Sequence, residues 1–138
     1  INPCTKTFQA LRIFVNREIT ELINGIVYAT KLLRPGGKIL IVSFHSIEDK
    51  IVKYFFTNYA KNKSKPSRYL PEENFNHRYL FENYNKKIVK PSFNELNKNN
   101  ASRSAKLRFA IRSNDKFFLP SNIFEKFEKY LNVETTNV

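Results

Sequence analysis

One stretch limits the possible folds more than any other: "RPGGKILIVSFHSIEDKIVKYFF", residues 34–56. Its Arg-Pro-Gly-Gly opening ends whatever helix precedes it, with two glycines available for left-handed backbone. "KILIVSF" then runs apolar without a break, the pattern of a strand covered on both faces. Ser46 reads as a helix N-cap with an acid, Asp49, three residues later, and acids suit the dipole of a first turn. Ile47, Ile51, Phe55 and Tyr59 predict the buried stripe of that helix. Upstream, Phe8, Leu11, Val15, Ile19, Leu22, Ile23, Ile26, Val27 and Leu33 fall at helical spacing. Glycine costs about 1 kcal/mol inside a helix, so Gly25 is the predicted division of this stretch into two. Helix, Gly-Gly turn and buried strand read as half of a βαβ unit, hence an α/β fold.

The remaining chain is less regular. Residues 60–85 show no sustained period, with prolines and basic residues among aromatics, and read as a surface excursion. "KKIVK" is a short strand by composition, "PSFNEL" a helical turn with Ser92 as N-cap and Glu95 at N3, and "NKNNASRS" a loop. "AKLRFAIR" alternates, with Ala105, Leu107, Phe109 and Ile111 on one face and Lys106, Arg108, Ala110 and Arg112 on the other. In "SNIFEKFEKYLN", Ile123, Phe127, Tyr130 and Leu131 form one face of a C-terminal helix docked on the body.

Charge narrows the partners. The net charge of +12, from 24 Lys and Arg against 12 Asp and Glu, favours polyanions, with nucleic acid foremost. The plain alternative is a basic protein kept soluble by its charge. Lys and Arg are spread along the chain rather than blocked, which disfavours a membrane surface, and no run approaches the roughly 18 apolar residues of a membrane span. Cys4 is the one cysteine, so no internal disulfide and no zinc-ligand spacing exist. The chain contains no methionine and opens on "INPCTKTF", so it reads as a piece of a larger protein.

Three places carry candidate chemistry. His45 and Ser46 sit at the carboxyl end of the predicted strand, where open α/β sheets bind ligands. The plain reading is a turn in which Ser46 caps the helix and His45 bonds to backbone. A Ser/His hydrolase is disfavoured, for no G-x-S-x-G elbow and no orienting acid is present. Arg103, Ser104, Lys106 and Arg108 suit phosphate contacts, against the plain reading of a solvated hairpin loop. Lys6, Gln9 and Arg12 lie on the polar side of the first helix as a possible RNA-facing edge. His77, inside the excursion, is assigned no role. With three glycines in the chain, no phosphate loop or dinucleotide fingerprint can be built.

Taken in order, "NPCTKTFQALRIFVNREI", "LLRPGGKILIVSFHSIEDKIVKYF" and "ASRSAKLRFAIR" closely resemble the C-terminal half of the RsmH (MraW) family, S-adenosylmethionine-dependent methyltransferases acting on cytosine N4 of 16S rRNA. The resemblance covers about Pro3 to Phe56 and Pro91 to Arg112; Asn2-Pro3-Cys4-Thr5 stands where the family usually has His-Pro-Ala-Thr, and the tail after Arg112 has no family counterpart. It implies the C-terminal part of a class I, Rossmann-like methyltransferase sheet, with the end of an inserted helical domain at the N-terminus. Residues 1–25 would end that inserted domain and its connecting helix, 26–112 would be the second half of the methyltransferase domain, and 113–138 a helical extension. "KILIVSF" becomes the fifth strand and "KKIVK" and "AKLRFAIR" the last two, the final one antiparallel between its neighbours. Residues that hold S-adenosylmethionine are expected upstream of Ile1, with none in this chain, no metal, and catalytic candidates His45 and Ser46. The chain alone is then expected to be inactive, with 16S rRNA or the small ribosomal subunit as partner, in bacterial cytoplasm or an organelle matrix. The second reading, from a different class, is a non-catalytic RNA-binding or ribosome-assembly module derived from the same fold.

Overall fold

The computed structural model describes residues 3–61 and 78–135; most of the expected excursion, His77 included, lies outside the described residues. The chain forms two compact units, one from residues 1–29 and 119–138, the other from residues 30–118.

The first unit is helical: α1 (Pro3–Asn16), most of α2 (Glu18–Leu32), α5 (Ser121–Lys126) and α6 (Glu128–Thr135). The break between α1 and α2 falls at Arg17, not at Gly25 as the sequence suggested. Arg17 takes left-handed backbone, with φ of 50°, and its carbonyl starts the α2 ladder by accepting from the Glu21 N–H at 3.0 Å. Gly25 stays inside α2 because Ile23, Ile26 and Val27 around it are buried. Burying such a side chain gives about 1.5–3 kcal/mol, more than the roughly 1 kcal/mol that glycine costs. The apolar stripe also divides: Ile19 and Ile23 are buried, while Phe8, Leu11 and Val15 of α1 remain exposed. The C-terminal helix read from sequence is two short helices, with Ile123 of α5 and Phe127 at the junction buried.

The second unit holds a three-stranded sheet of β1 (Lys38–Ser43), β2 (Phe81–Tyr84) and β3 (Lys106–Arg112), in the order β1-β3-β2. Both neighbours are antiparallel to β3, so β1 and β2 run the same way and α3 (Ser46–Tyr59) connects them. This is a βαβ unit split by the last strand, the arrangement the resemblance implied for that strand. The outer strand, however, is "FENY", not "KKIVK"; of the latter only Val89 forms an isolated bridge, to Leu107. Here the short strand read from composition lost to a stretch that buries Phe81 under α3.

α3 lies on the face carrying Arg108, Ala110 and Arg112, and buries Ile51, Val52, Phe55, Phe56 and Tyr59. Phe81 meets Phe55 and Phe56 edge-on, with ring centroids 5.5 and 5.1 Å apart, a favoured aromatic geometry. The described residues do not cover the opposite face as the unbroken apolar run suggested, since Leu40 and Val42 stay 61% and 52% exposed. At the start of β1 the Gly-Gly turn extends the ladder: Gly36 N–H donates to Arg112 O at 3.0 Å, and Arg112 N–H donates to Gly37 O at 2.8 Å. Gly36 has φ of 77°, and a Cβ on Gly37 would sit 2.8 Å from the Leu33 side chain and 2.9 Å from Arg34 O. As read from sequence, Ser92 caps α4 (Phe93–Lys98), its Oγ accepting from Glu95 N–H at 3.3 Å.

Phe55→Ala is expected to lower unfolding stability by about 3–5 kcal/mol, the usual cost of a large aromatic lost from a packed core. Urea unfolding followed by circular dichroism measures it, and a loss below about 1 kcal/mol would mean that the Phe55–Phe56–Phe81 cluster is not the core of this unit.

Candidate functional site

The β1–β3 register decides what can meet what. Ser43, the last residue of β1, pairs with Lys106, the first of β3, and its Oγ donates to Lys106 O at 3.4 Å. The turn Phe44-His45-Ser46 therefore emerges at the same end of the sheet as the short 3-10 helix Asn100–Ser104. Two candidate motifs about sixty residues apart in sequence are thus brought together by one strand pairing.

Within the turn, the cap is one residue earlier than the sequence suggested. His45, not Ser46, occupies the N-cap position of α3, with extended backbone (φ −129°, ψ 166°). Its Nδ1 accepts from Glu48 N–H in a long contact of 3.4 Å, and Glu48 Oε2 accepts in return from the N–H groups of Phe44 at 2.8 Å and His45 at 3.3 Å. That is a capping box with imidazole in place of the usual hydroxyl. An Nδ1 that accepts leaves the ring proton on Nε2, and Nε2 lies 3.2 Å from Glu48 Oε1. Both ring nitrogens thus face Glu48, and the side chain is 9% exposed. Ser46 is left as the exposed first residue of the helix.

One turn further, Asp49 holds the sheet. Its carboxylate accepts from Arg108 Nε at 2.7 Å and Nη2 at 3.2 Å, with Lys106 Nζ 3.7 Å away. Burial alone would raise the Asp49 carboxyl, but the Arg108 hydrogen bonds and the charges of Arg108 and Lys106 outweigh it and hold the pKa below its ordinary value. Arg108 is 5% exposed, so its guanidinium faces Asp49 under α3 rather than solvent. Sequence reading missed this pair, because nothing in the spacing links a first-turn acid to a strand fifty-nine residues on.

The loop before β3 is built around Asn99, whose Oδ1 accepts from Ala101 N–H at 3.2 Å while its carbonyl accepts from Ser102 Oγ at 2.7 Å. Ser102 is buried, and Arg103 and Ser104 are exposed. Lys106 is half-buried at the strand's start. Lys6, Gln9 and Arg12 lie on α1 in the first unit, where Lys6 is exposed and Arg12 is paired with Glu18 at 2.7 Å.

Beside the far end of β3 lie two open polar cavities of about 370 and 340 Å³, sharing Lys61, Glu82, Ser113 and Asn114. Arg112 lines the larger; burial draws its guanidinium pKa down, against the opposing charge of Asp115. With Lys61 paired to Glu82 at 3.1 Å, these cavities offer neither an apolar slot for a purine nor an unopposed charge. Neither of these two cavities therefore fits a nucleoside cofactor such as S-adenosylmethionine.

His45→Ala is expected to destabilise the second unit by about 1 kcal/mol, the usual cost of a lost N-cap acceptor, with Ser46→Ala close to neutral. Thermal midpoints of the two variants test this; the reverse order would return the cap to Ser46. Asp49→Asn is expected to cost about 1–3 kcal/mol at pH 7, since a hydrogen-bonded charge is lost. The depressed folded pKa makes the carboxylate's contribution fully present above the unfolded value near 3.8 and lost as pH falls through the folded one. The stability gap between Asp49→Asn and the parent should therefore narrow on acidification below about pH 4. A gap that stays constant from pH 7 to pH 2 in urea titrations would contradict it.

The comparisons with known proteins agree with one another. A sequence model described as the MraW methylase family matches residues 1–113. Proteins named ribosomal RNA small subunit methyltransferase H are 49% identical over 112 residues in Ehrlichia canis (81% of this chain, 35% of that protein) and 46% over 114 in Xanthobacter autotrophicus (83% and 32%). The protein of that name in Agrobacterium fabrum is 43% identical over 113 residues (82% and 33%). The chain spans about a third of the length of the relatives it matches. With a match over most of its length that takes in the Gly-Gly turn, the capped helix and the β3 strand, the chain belongs to the MraW methylase family.

Proposed function

We propose that this chain is the substrate-side part of an rRNA methyltransferase that transfers a methyl group from S-adenosylmethionine to N4 of a cytosine in 16S rRNA. The observation that carries the reading is the register that puts Ser43 beside Lys106, and so gathers Ser46, Arg103, Ser104 and Lys106 at one end of the sheet of a methylase-family chain. The names of its relatives support a small-subunit rRNA substrate, and a net charge of +12 suits it. No described helix is long and apolar enough to cross a membrane. The bacterial sources of the relatives support bacterial cytoplasm as the setting, with an organelle matrix as the alternative.

The chemistry assigns distinct roles to these residues. An exocyclic amine conjugated with a pyrimidine ring is a weak nucleophile, so rate depends on holding it in line with the methyl donor. The base must leave its stack to be held so. Arg103 and Lys106 are placed to take the flanking phosphates, with the Ser104 hydroxyl beside them, while the exposed Ser46 hydroxyl faces the nucleotide. Lys6, Gln9 and Arg12 form a second edge toward RNA. His45 and Arg108 support this surface from behind, fixing the turn and the strand. The donor is bound by residues of the family's polypeptide outside this chain.

The deciding experiment joins this chain to the rest of its polypeptide and follows labelled methyl transfer to small-subunit RNA, with nucleoside analysis of the product. N4-methylcytidine is expected; a label on another atom would overturn the assignment. The alternative, a non-catalytic RNA-binding or assembly module, is suited equally by the net charge of +12. It predicts RNA binding without any transfer. Arg103→Ala with Lys106→Ala should reduce the salt slope of rRNA affinity by roughly 1.4–1.8, at about 0.7–0.9 per phosphate contact. An unchanged slope would remove this end of the sheet from the RNA interface.

A further inference from the structure

The α1–α2 corner lacks the groups that helix starts ordinarily carry. Arg17 stands at the N-cap position of α2, and an arginine side chain offers donors and no acceptor. The N–H groups of Ile19 and Thr20, which a Ser or Asp at that position would satisfy, are instead taken by Glu134, more than a hundred residues later in α6. Ile19 N–H donates to Glu134 Oε1 at 3.0 Å, Thr20 N–H donates to Oε2 at 2.8 Å, and Thr20 Oγ1 donates to Oε2 at 2.6 Å. The carboxylate is 5% exposed. Ile123 and Phe127, from the same C-terminal segment, are buried alongside Ile19 and Ile23 in this unit's core.

We infer that residues 119–135 are an intramolecular clip, with Glu134 as its catch, whose docking supplies the missing N-cap of α2 and so fixes the corner from which α1 departs. The clip lies beyond residue 113, where the family match ends, and the element it holds, α2, lies within the matched residues. A second carboxylate works at the same corner: Glu18, in the first turn of α2, holds Arg12 of α1 at 2.7 and 3.0 Å. Glu134 fixes the backbone of that turn, and Glu18 ties α1 to it. Both charges also lie at the positive end of the α2 dipole. Order at the corner and docking of the tail are then one equilibrium, and drawing the tail away releases α2's first turn. This inference stands independently of the methyl-transfer reading, because its readout is backbone order and not activity.

Amide hydrogen exchange in the full chain tests it. In Glu134→Ala, exchange at Ile19 and Thr20 should rise about tenfold or more, while amides of α3 and β3 keep their protection, as expected for a local opening. Glu134→Gln keeps one acceptor but turns an NH₂ group toward a donor, so it should fall between parent and Glu134→Ala; it also serves if the alanine variant does not fold. Unchanged exchange at the two amides in Glu134→Gln would overturn the clip. A uniform rise across both units would overturn it equally, since Glu134 would then support only global stability.

Discussion

A buried arginine in the middle of a strand is the constraint around which the second unit is organised. Arg108 sits under α3, where an unpaired guanidinium would be strongly unfavourable, and Asp49 makes the position tolerable with two hydrogen bonds. Removing either partner would leave the other charge desolvated. The pair therefore fixes how far along the sheet α3 begins. Because Asp49 lies in the first turn, it also fixes where the His45 turn stands relative to β3. The register of β1 on β3 does the rest, aligning the loop before β3 with the turn after β1.

Capping that helix start has an electrostatic consequence. A helix N-terminus at a strand's end is ordinarily a ready place for phosphate. Here Glu48 and Asp49 bring two carboxylates into the first turn, and Glu48 already accepts from the Phe44 and His45 amides. The dipole is therefore answered from within the protein. An anion approaching this end of the sheet would meet the side chains of Arg103 and Lys106 rather than an unanswered helix N-terminus.

The sequence made the strand-turn-helix core of this unit legible, because each element there carried its own local signal: two glycines, an apolar run, a stripe at helical spacing. The Ser92 cap of α4 was legible for the same reason. The misses share a cause. A cap made by histidine follows no hydroxyl rule, so the helix start was placed one residue late. The break at Arg17 was hidden because its compensation lies in Glu134, far along the chain, and the Arg108–Asp49 pair likewise has no local signature. Alternation in β3 gave the two faces correctly, but polarity alone could not say that α3 covers the arginine face.

That inversion bears on the apolar side of the same sheet. Lys38, Leu40 and Val42 pair across the ladder with Ile111, Phe109 and Leu107, so their side chains share a face, and Leu40 and Val42 are more than half exposed. A continuous apolar β surface of this kind is normally buried in a stable domain. The arginine face is closed by a specific ion pair, whereas the apolar face leaves Leu40 and Val42 exposed. Specificity in this unit therefore resides on the α3 side, and a substitution such as Arg108→Leu, though apolar and similar in volume, would remove the constraint that sets the position of α3 while leaving Asp49 without its guanidinium.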